Sequence, residues 1–322
     1  DATTGLRFFI MPKTVQILLA TYNGERFLHE QLDSLFRQTY QDFTILVRDD
    51  GSSDNTLKII EEYQQKYPTK IELFSDNKKN VGATQNFGIL LEQSSADYIF
   101  FCDQDDTWVN NKIEISLKKL QELESNNPNI PCMIYSDMKS IDEAGNITAN
   151  SVWKQLHLHP NFFILNRLLI QNIPHGCTMG INKAMQEIAV PIPTEAILHD
   201  HWIALLAATC GKHYAFHSPL VLLRNHTHNV TRKKNSLQDK WKRFSGNLLS
   251  KEMYEYFIQI RVQQANALLL RLQDRTSAAQ IQTIKAFIQL EKTNGISRKM
   301  IFIQNKFFRT TFWHTFKMIA RS

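Results

Sequence analysis

The 322-residue chain has only four cysteines, Cys102, Cys132, Cys177 and Cys210, and no two of them form a CxxC pair. That spacing excludes a disulfide framework and the familiar zinc signatures, and it suits a reducing cytoplasm. No apolar run approaches the ~18 residues that a membrane-crossing helix needs. Internal repeats and low-complexity linkers are missing as well. With 43% hydrophobic residues, the chain is neither mainly disordered nor a repeat polymer. Its length allows one large domain or two modest ones.

Acidic residues are missing from one place: none follows Glu291. The net charge of +6 therefore hides an imbalance. Residues 231–322 hold 18 Lys/Arg against 5 Asp/Glu, a balance of +13, whereas residues 1–230 hold 19 against 26, a balance of −7. An acidic body suits metal ions and metal-neutralised substrates, and a basic C-terminal part suits an anionic surface. At the other end, Met11-Pro12-Lys13 reads as a natural start, so residues 1–12 are expected to be an extension and not a signal peptide.

The first ~120 residues alternate between two periodicities. Val15–Ala20, Phe43–Arg48, Ile71–Phe74 and Tyr98–Phe101 are short apolar runs that predict buried strands. Between them, Glu25–Gln38, the segment carrying Leu57, Ile60 and Tyr63, and Gly82–Leu91 place apolar residues at helical spacing. Asp54 is placed to cap the second of these helices. A β-α-β-α-β-α-β order predicts an α/β fold, with a mostly parallel sheet and helices on both faces. Residues 131–230 are less regular: Met133–Tyr135 and Leu220–Leu223 are expected as strands, Phe162–Gln171 and His199–Cys210 as helices. From Asn235 onward the pattern is helical.

Three polar clusters fall just past predicted strand ends: Thr21-Tyr22-Asn23, Asp49-Asp50 and Asp103–Asp106. In an open α/β sheet that edge is where ligands bind. Carboxylates at Asp103 and Asp105 on one loop can address a hard cation, which takes one or two carboxylates plus substrate phosphates. A bare acidic turn capping the next helix is the alternative. Asp49-Asp50-Gly51 is in part an ordinary strand–turn–helix connection, but adjacent acids at a strand end can also accept hydrogen bonds from a base or a ribose. His199, His201, His226 and His228 match no familiar zinc spacing.

Taken together, Ile17-Leu18-Leu19-Ala20-Thr21-Tyr22-Asn23-Gly24, Gln38-Thr39-Tyr40 and Arg48-Asp49-Asp50-Gly51-Ser52-Ser53-Asp54 resemble the opening of a family-2 glycosyltransferase. Asn80-Val81-Gly82 with Asn86, Cys102-Asp103-Gln104-Asp105-Asp106-Thr107-Trp108, Gly176-Cys177-Thr178-Met179, His199-Asp200-His201-Trp202 and Arg224-Asn225-His226 continue it in order. The resemblance covers about residues 13–230. The Asp-Gln-Asp-Asp-x-Trp spelling further resembles rhamnosyltransferases of bacterial cell-wall, capsule and O-antigen assembly.

The resemblance implies a GT-A fold, a Rossmann-like nucleotide-sugar half (13–125) joined to an acceptor half (126–230), followed by a basic helical region (231–322). It implies that Thr21, Tyr22, Asn23, Asp49, Asp50 and Asn86 hold the nucleoside side of the donor. Asp103 would reach the ribose or metal, Asp105 would ligate Mg2+ or Mn2+, Arg224 would face the diphosphate, and His226 would add a metal ligand. Asp200 would be the general base, although the family's usual Glu-Asp is His199-Asp200 here. Gly176 and Thr178 would line the sugar and acceptor pocket, a tight strand or helix entry being an equally good account of Gly176; Trp108 and Trp202 are candidates for stacking on a sugar ring, although buried aromatics are commoner. The implied reaction is inverting, metal-dependent transfer of a sugar from dTDP-rhamnose to a lipid-linked polysaccharide precursor at the inner face of the cell membrane. The alternatives are a UDP-hexose or UDP-N-acetylhexosamine donor, or a glycan- or nucleotide-binding module without catalysis.

The last 31 residues carry seven Lys/Arg together with Phe302, Phe307, Phe308, Phe312, Trp313 and Phe316. Such a composition predicts contact with an anionic membrane surface. The alternatives are packing on the catalytic body or on a second copy in a homodimer. Nucleic acid is not expected as a partner, since the body is acidic and carries no nucleic-acid motif.

Overall fold

Val15–Thr21 (β1) buries both of its faces, Leu18 to one side and Ile17 and Leu19 to the other, as a strand covered by two helical layers must. The structure, a computed structural model, describes residues 13–226, 251–272 and 275–321. The expected extension, the charge boundary near residue 230 and His228 lie outside the described residues. After β1 come α1 (Leu28–Phe36), β2 (Thr44–Asp49), α2 (Thr56–Lys66), β3 (Ile71–Leu73), α3 (Ala83–Gln93) and β4 (Tyr98–Asp103). These four strands are parallel in the order β3-β2-β1-β4.

The second half follows as β5 (Thr107–Trp108), α4 (Lys112–Glu124), β6 (Cys132–Ile141), β7 (Ile147–Ala149), α5 (Val152–Gln155), α6 (Leu165–Leu168), β8 (Gly180–Asn182), α7 (Lys183–Ala189), α8 (His199–Cys210) and β9 (Lys212–Arg224). Short β8 runs antiparallel to β4 and to β6, so it joins the two halves into one nine-stranded sheet. The sheet is thus mixed beyond β4. The helix expected over 162–171 shrinks to a single turn, α6, flanked by irregular backbone.

Leu28, Leu32, Ile60, Tyr63, Ile113 and Leu120 cover one face of the sheet. The other face is covered by α3, α7 and α8. Helix α8 is apolar almost all round because a second layer covers it. That layer is the C-terminal region: α9 (Lys251–Leu272), α10 (Ala278–Ile288), α11 (Gly295–Gln304) and α12 (Phe312–Arg321). Phe257, Val262, Leu268, Phe287, Phe302 and Phe307 are buried in the same core as Trp202 and Leu206. The expectation that Phe302 and Phe307 face a membrane is therefore corrected: both are interior packing. Among the described residues, no helix is long and apolar enough to cross a membrane.

The register fixes the site. Thr21 pairs with Asp49, and Ala20 with Asp103, so the polar strand ends lie side by side at one edge. The β1–α1, β2–α2 and β4–β5 connections all leave from there.

Candidate active site

The β2–α2 loop is built around its own acids. Asp49 accepts from the Thr21 hydroxyl (2.9 Å) and from the N–H groups of Gly51 (3.0 Å) and Ser52 (2.7 Å). Asp50 is buried and accepts from Val81 N–H (2.9 Å), Gly82 N–H (2.9 Å) and the fully buried Arg48 guanidinium (3.2 Å). Arg48 also donates to Asn86 Oδ1 (3.0 Å) and to Asp76 (2.8 Å), while the Asn86 amide donates to the Thr21 and Arg48 carbonyls. Asp49 and Asp50 thus sit at the carboxyl end of β2 and Asn86 in the first turn of α3, with their polar atoms engaged in shaping the loops. The β1 loop is the open part: Tyr22 is exposed, and Asn23 adopts a φ of 48° with its Oδ1 accepting from Ser53 N–H (2.8 Å). Asp54 does help start α2, accepting from Thr56 N–H (3.0 Å).

Gln104 was not singled out by its residue type, yet its amide ties the β1 loop to the acidic loop. Its Oε1 accepts from Tyr22 N–H (2.8 Å) and its Nε2 donates to the Tyr22 carbonyl (2.9 Å). Gly24 makes room for it, because a Cβ there would lie 2.3 Å from Gln104 Oε1.

The four residues of the Asp-Gln-Asp-Asp loop point to different tasks. Asp105 meets His226 (Oδ2 to Nε2, 2.7 Å). Asp106 is fully buried: Oδ1 accepts from Arg224 N–H (3.1 Å), and the Cys177 thiol lies against the same carboxylate. Burial, with Asp105 and Asp103 nearby, pushes its carboxyl well above the ordinary range. Asp103 is pushed up to about 7 by burial and by the charges of Asp105 and Asp200, with Lys112 opposing. Lys112 is buried beneath the loop, its ammonium 3.2 Å from the Trp108 ring centre, and burial draws it down to about 7.

Asp200 lies in the first turn of α8. Oδ1 accepts from Asn172 Nδ2 (3.0 Å) and His201 N–H (2.6 Å), and Oδ2 from Gly176 N–H (3.0 Å). Burial outweighs these three donors and pushes the carboxyl up to about 7. A group so poised suits proton transfer near neutral pH. Next in the chain after Gly176, the Cys177 sulfur lies within 4.8 Å of a carboxylate oxygen of both Asp103 and Asp106. Asp200 and the acidic loop are thereby linked through one turn of chain, and Asp103 feels the charges of both Asp105 and Asp200.

His199 fills the space that Gly176 leaves: a Cβ on Gly176 would stand 2.5 Å from His199 Nε2. Its ring packs on Phe87 and Phe101, and burial draws it down to about 3, so it is neutral. His201 bonds the Leu168 carbonyl (2.6 Å), and His226 sits with Asp105, so these histidines do not gather around one ion.

Several expected pocket residues turn out to be interior. Trp108 and Trp202 are 2% and 0% exposed and offer no ring face to a sugar; the Trp202 indole donates to the Ala189 carbonyl (3.0 Å). Thr178 is buried and donates to the His175 carbonyl (2.8 Å). Arg224, 1% exposed, is a clamp: its side chain bonds the carbonyls of Asp105, Asp142 and Glu143 and pairs with Glu30 (2.6 Å). That corrects the expectation of a free arginine on the diphosphate. Glu30, Gln104, Lys112 and Asn172 went unnoticed in the sequence, because each acts through a partner distant in the chain.

Two groupings around the acidic loop offer ligand atoms for a divalent cation: Asp103, Asp106 and Cys177, within 4.8 Å of one another, and Asp105 with His226. Carboxylate oxygen with one imidazole suits Mg2+ or Mn2+ with phosphate completing the shell, and the 2.7 Å between Asp105 Oδ2 and His226 Nε2 approximates one edge of such a shell.

Residues 16–188 match the glycosyl transferase family 2 model. The dTDP-rhamnosyl transferase RfbG of Shigella flexneri is 30% identical over 234 residues, 70% of this chain and 77% of that one. Among solved structures, S. aureus TarS 1–349 in complex with UDP-GlcNAc superposes with a TM-score of 0.56 at 16% identity, covering 91% of this chain and 79% of TarS. The mannosyltransferase PcManGT of Pyrobaculum calidifontis, in complex with GDP-Man and Mn2+, gives 0.52 at 14% identity, covering 97% and 86%. The fold is GT-A, with C-terminal helices added, and the chain belongs to glycosyl transferase family 2.

Proposed function

We propose that the protein is an inverting, metal-dependent glycosyltransferase that moves L-rhamnose from dTDP-rhamnose onto a lipid-linked precursor of a bacterial surface polysaccharide. The observation that carries the reading is Asp200: a buried carboxylate held by three donors, titrating near neutrality, one turn of chain away from the acidic loop. A sugar hydroxyl is a weak nucleophile, and Asp200 accepts its proton as it attacks the anomeric carbon. With a single base and no nucleophilic side chain in use, the displacement proceeds in one step with inversion.

Thr21, Tyr22 and Asn23 border the nucleoside, beside the loop that Asp49, Asp50 and Asn86 shape. Gly176 lines the sugar side, and its missing Cβ brings the backbone close. Asp105, with Asp103 and His226, holds Mg2+ or Mn2+, which when bound supplies positive charge for the departing diphosphate. The rhamnosyl assignment rests on the likeness to RfbG over most of both chains.

The acceptor is met at an anionic membrane, at the inner face of the cell membrane. Ile296, Met300 and Ile303 are exposed on one side of α11, and Trp313 and Phe316 are exposed on α12, near Lys299 and Lys306. Apolar side chains among basic ones suit the interface of anionic lipid. In flotation with vesicles containing anionic lipid, the chain is expected to float, and Trp313→Ser with Phe316→Ser to lose most of that binding. Equal flotation of both proteins removes the membrane part.

A donor screen tests the whole. Purified protein with Mn2+ is incubated with dTDP-rhamnose, UDP-glucose, UDP-GlcNAc and GDP-mannose, and the glycan product is weighed by mass spectrometry. A deoxyhexose increment from dTDP-rhamnose alone is expected. A hexose or N-acetylhexosamine increment replaces the donor, and no product with any donor, together with no metal-dependent thermal shift, overturns the enzyme.

A further inference from the structure

The chain between α6 and Gly176 is held at both ends by side chains. Facing the C-terminal helices, the Asn166 amide donates to the Asn305 carbonyl (2.6 Å) and Arg167 to the Arg309 carbonyl (3.0 Å). Gln171 Oε1 accepts from Thr310 N–H (3.1 Å), the Thr310 hydroxyl (3.3 Å) and Arg309 Nε (3.4 Å). Facing α8, the next residue, Asn172, donates to Asp200 Oδ1 (3.0 Å) and to the Pro174 carbonyl (2.9 Å). Residues 171–175 belong to no helix or strand, so no backbone ladder fixes them. Their placement rests on these side-chain bonds together with the burial of Ile173 in the core.

The bond at Asp200 decides more than position. An ionised carboxylate has about four lone-pair sites, two on each oxygen. Oδ1 is filled by Asn172 and His201, whereas Oδ2 takes only the Gly176 N–H. Oδ2 therefore keeps one lone pair for a substrate proton. Removing the Asn172 donor leaves one backbone N–H on each oxygen, so the two become equivalent and the orientation of the carboxylate is held less firmly.

We propose that Gln171 is a positioning residue: it fastens residues 166–172 to the C-terminal helices so that Asn172 holds Asp200 with Oδ2 toward the acceptor hydroxyl. The helical region thus contributes to turnover, apart from any part in membrane contact. The inference rests on the reading of Asp200 as the general base.

The test compares Gln171→Met, which keeps the length and loses the acceptor oxygen, with Gln171→Glu, which keeps it, in the full chain. For Gln171→Met we expect kcat to fall about tenfold, with the donor KM within about twofold and the melting temperature nearly unchanged. Gln171→Glu should restore most of kcat. Asn172→Ala should fall further, again in kcat and not in KM. If Gln171→Met does not fold, Thr310→Ala, which removes one of the three donors, is expected to lower kcat about threefold by the same split. A Gln171→Met enzyme with unchanged kcat, a loss carried equally by KM, or no rescue by Glu overturns the proposal. Asp200→Asn, run in parallel, separates the two readings. If Asp200→Asn keeps turnover, the base assignment fails; if it is inactive while Gln171→Met is normal, only the positioning role fails.

Discussion

Two sets of carboxylates stand a few residues from the same sheet edge and live differently. Asp49 takes four donors, the Thr21 and Ser52 hydroxyls and the Gly51 and Ser52 N–H groups, and Asp50 takes two loop N–H groups and the buried Arg48 guanidinium. Asp103 and Asp106 lie beside the Cys177 sulfur, and Asp200 is held by the Gly176 N–H of the same turn; burial outweighs the donors these acids have, and their carboxyls are pushed upward. A full set of loop donors or a buried guanidinium makes an acid a structural post, whereas burial that outweighs the donors readies a carboxyl to take up a proton. Adjacent acids in sequence can belong to either class, and only the geometry of their neighbours tells them apart.

The sharpest way to break this contrast is Asp200→Asn. It removes the proposed base and should lower kcat by roughly 10²–10⁴-fold while donor binding, followed by calorimetry, persists. Next is Asp50→Ala, which strips the buried Arg48 of one partner and takes the acceptor from the part-buried Val81 and Gly82 N–H groups. Urea unfolding should show a loss of about 3 kcal/mol. Asp105→Asn, by contrast, should stay within about 1 kcal/mol of the parent in the same assay and lose metal-dependent donor binding. If the two variants exchange these phenotypes, the division fails.

The pH dependence is intermediate in size. With Asp200 near 7, kcat/KM should fall about tenfold per pH unit below 7 and level off above it. For stability the sign is opposite. Its folded pKa is raised, so the folded chain holds the proton more tightly than the unfolded one, and stability falls as pH rises from about 4 to about 7. Asp200→Asn should flatten that slope in thermal melts. The smallest effect belongs to Asp49→Asn, which keeps one carbonyl oxygen for the loop N–H groups and should cost about 1 kcal/mol or less.

Much of the first half was legible because long apolar runs and helical spacing leave little choice of element, and the register then carries Thr21, Asp49 and Asp103 to one edge. The second half was harder for physical reasons. Strands β5 and β8 have two and three residues, too few for a period. β9 extends through 13 residues, yet its exposed His213, Tyr214 and His217 hide it from a search for apolar runs. The identity of the site acids was readable from their motifs. Which donors hold them was not, since those at Val81, Gly82 and Gly176 are backbone groups common to every residue but proline. The burial of Trp108 and Trp202 was equally hidden, because a tryptophan reads alike on a cleft wall and in a core.

The amide bridge of Gln104 across Tyr22 has a consequence for how a ligand arrives. Two loops that would otherwise wander separately are buttoned together beforehand, so docking need not recruit one to the other. Little ordering entropy is then spent on closing this side of the cleft, and a spent nucleotide can depart without waiting for the two loops to part.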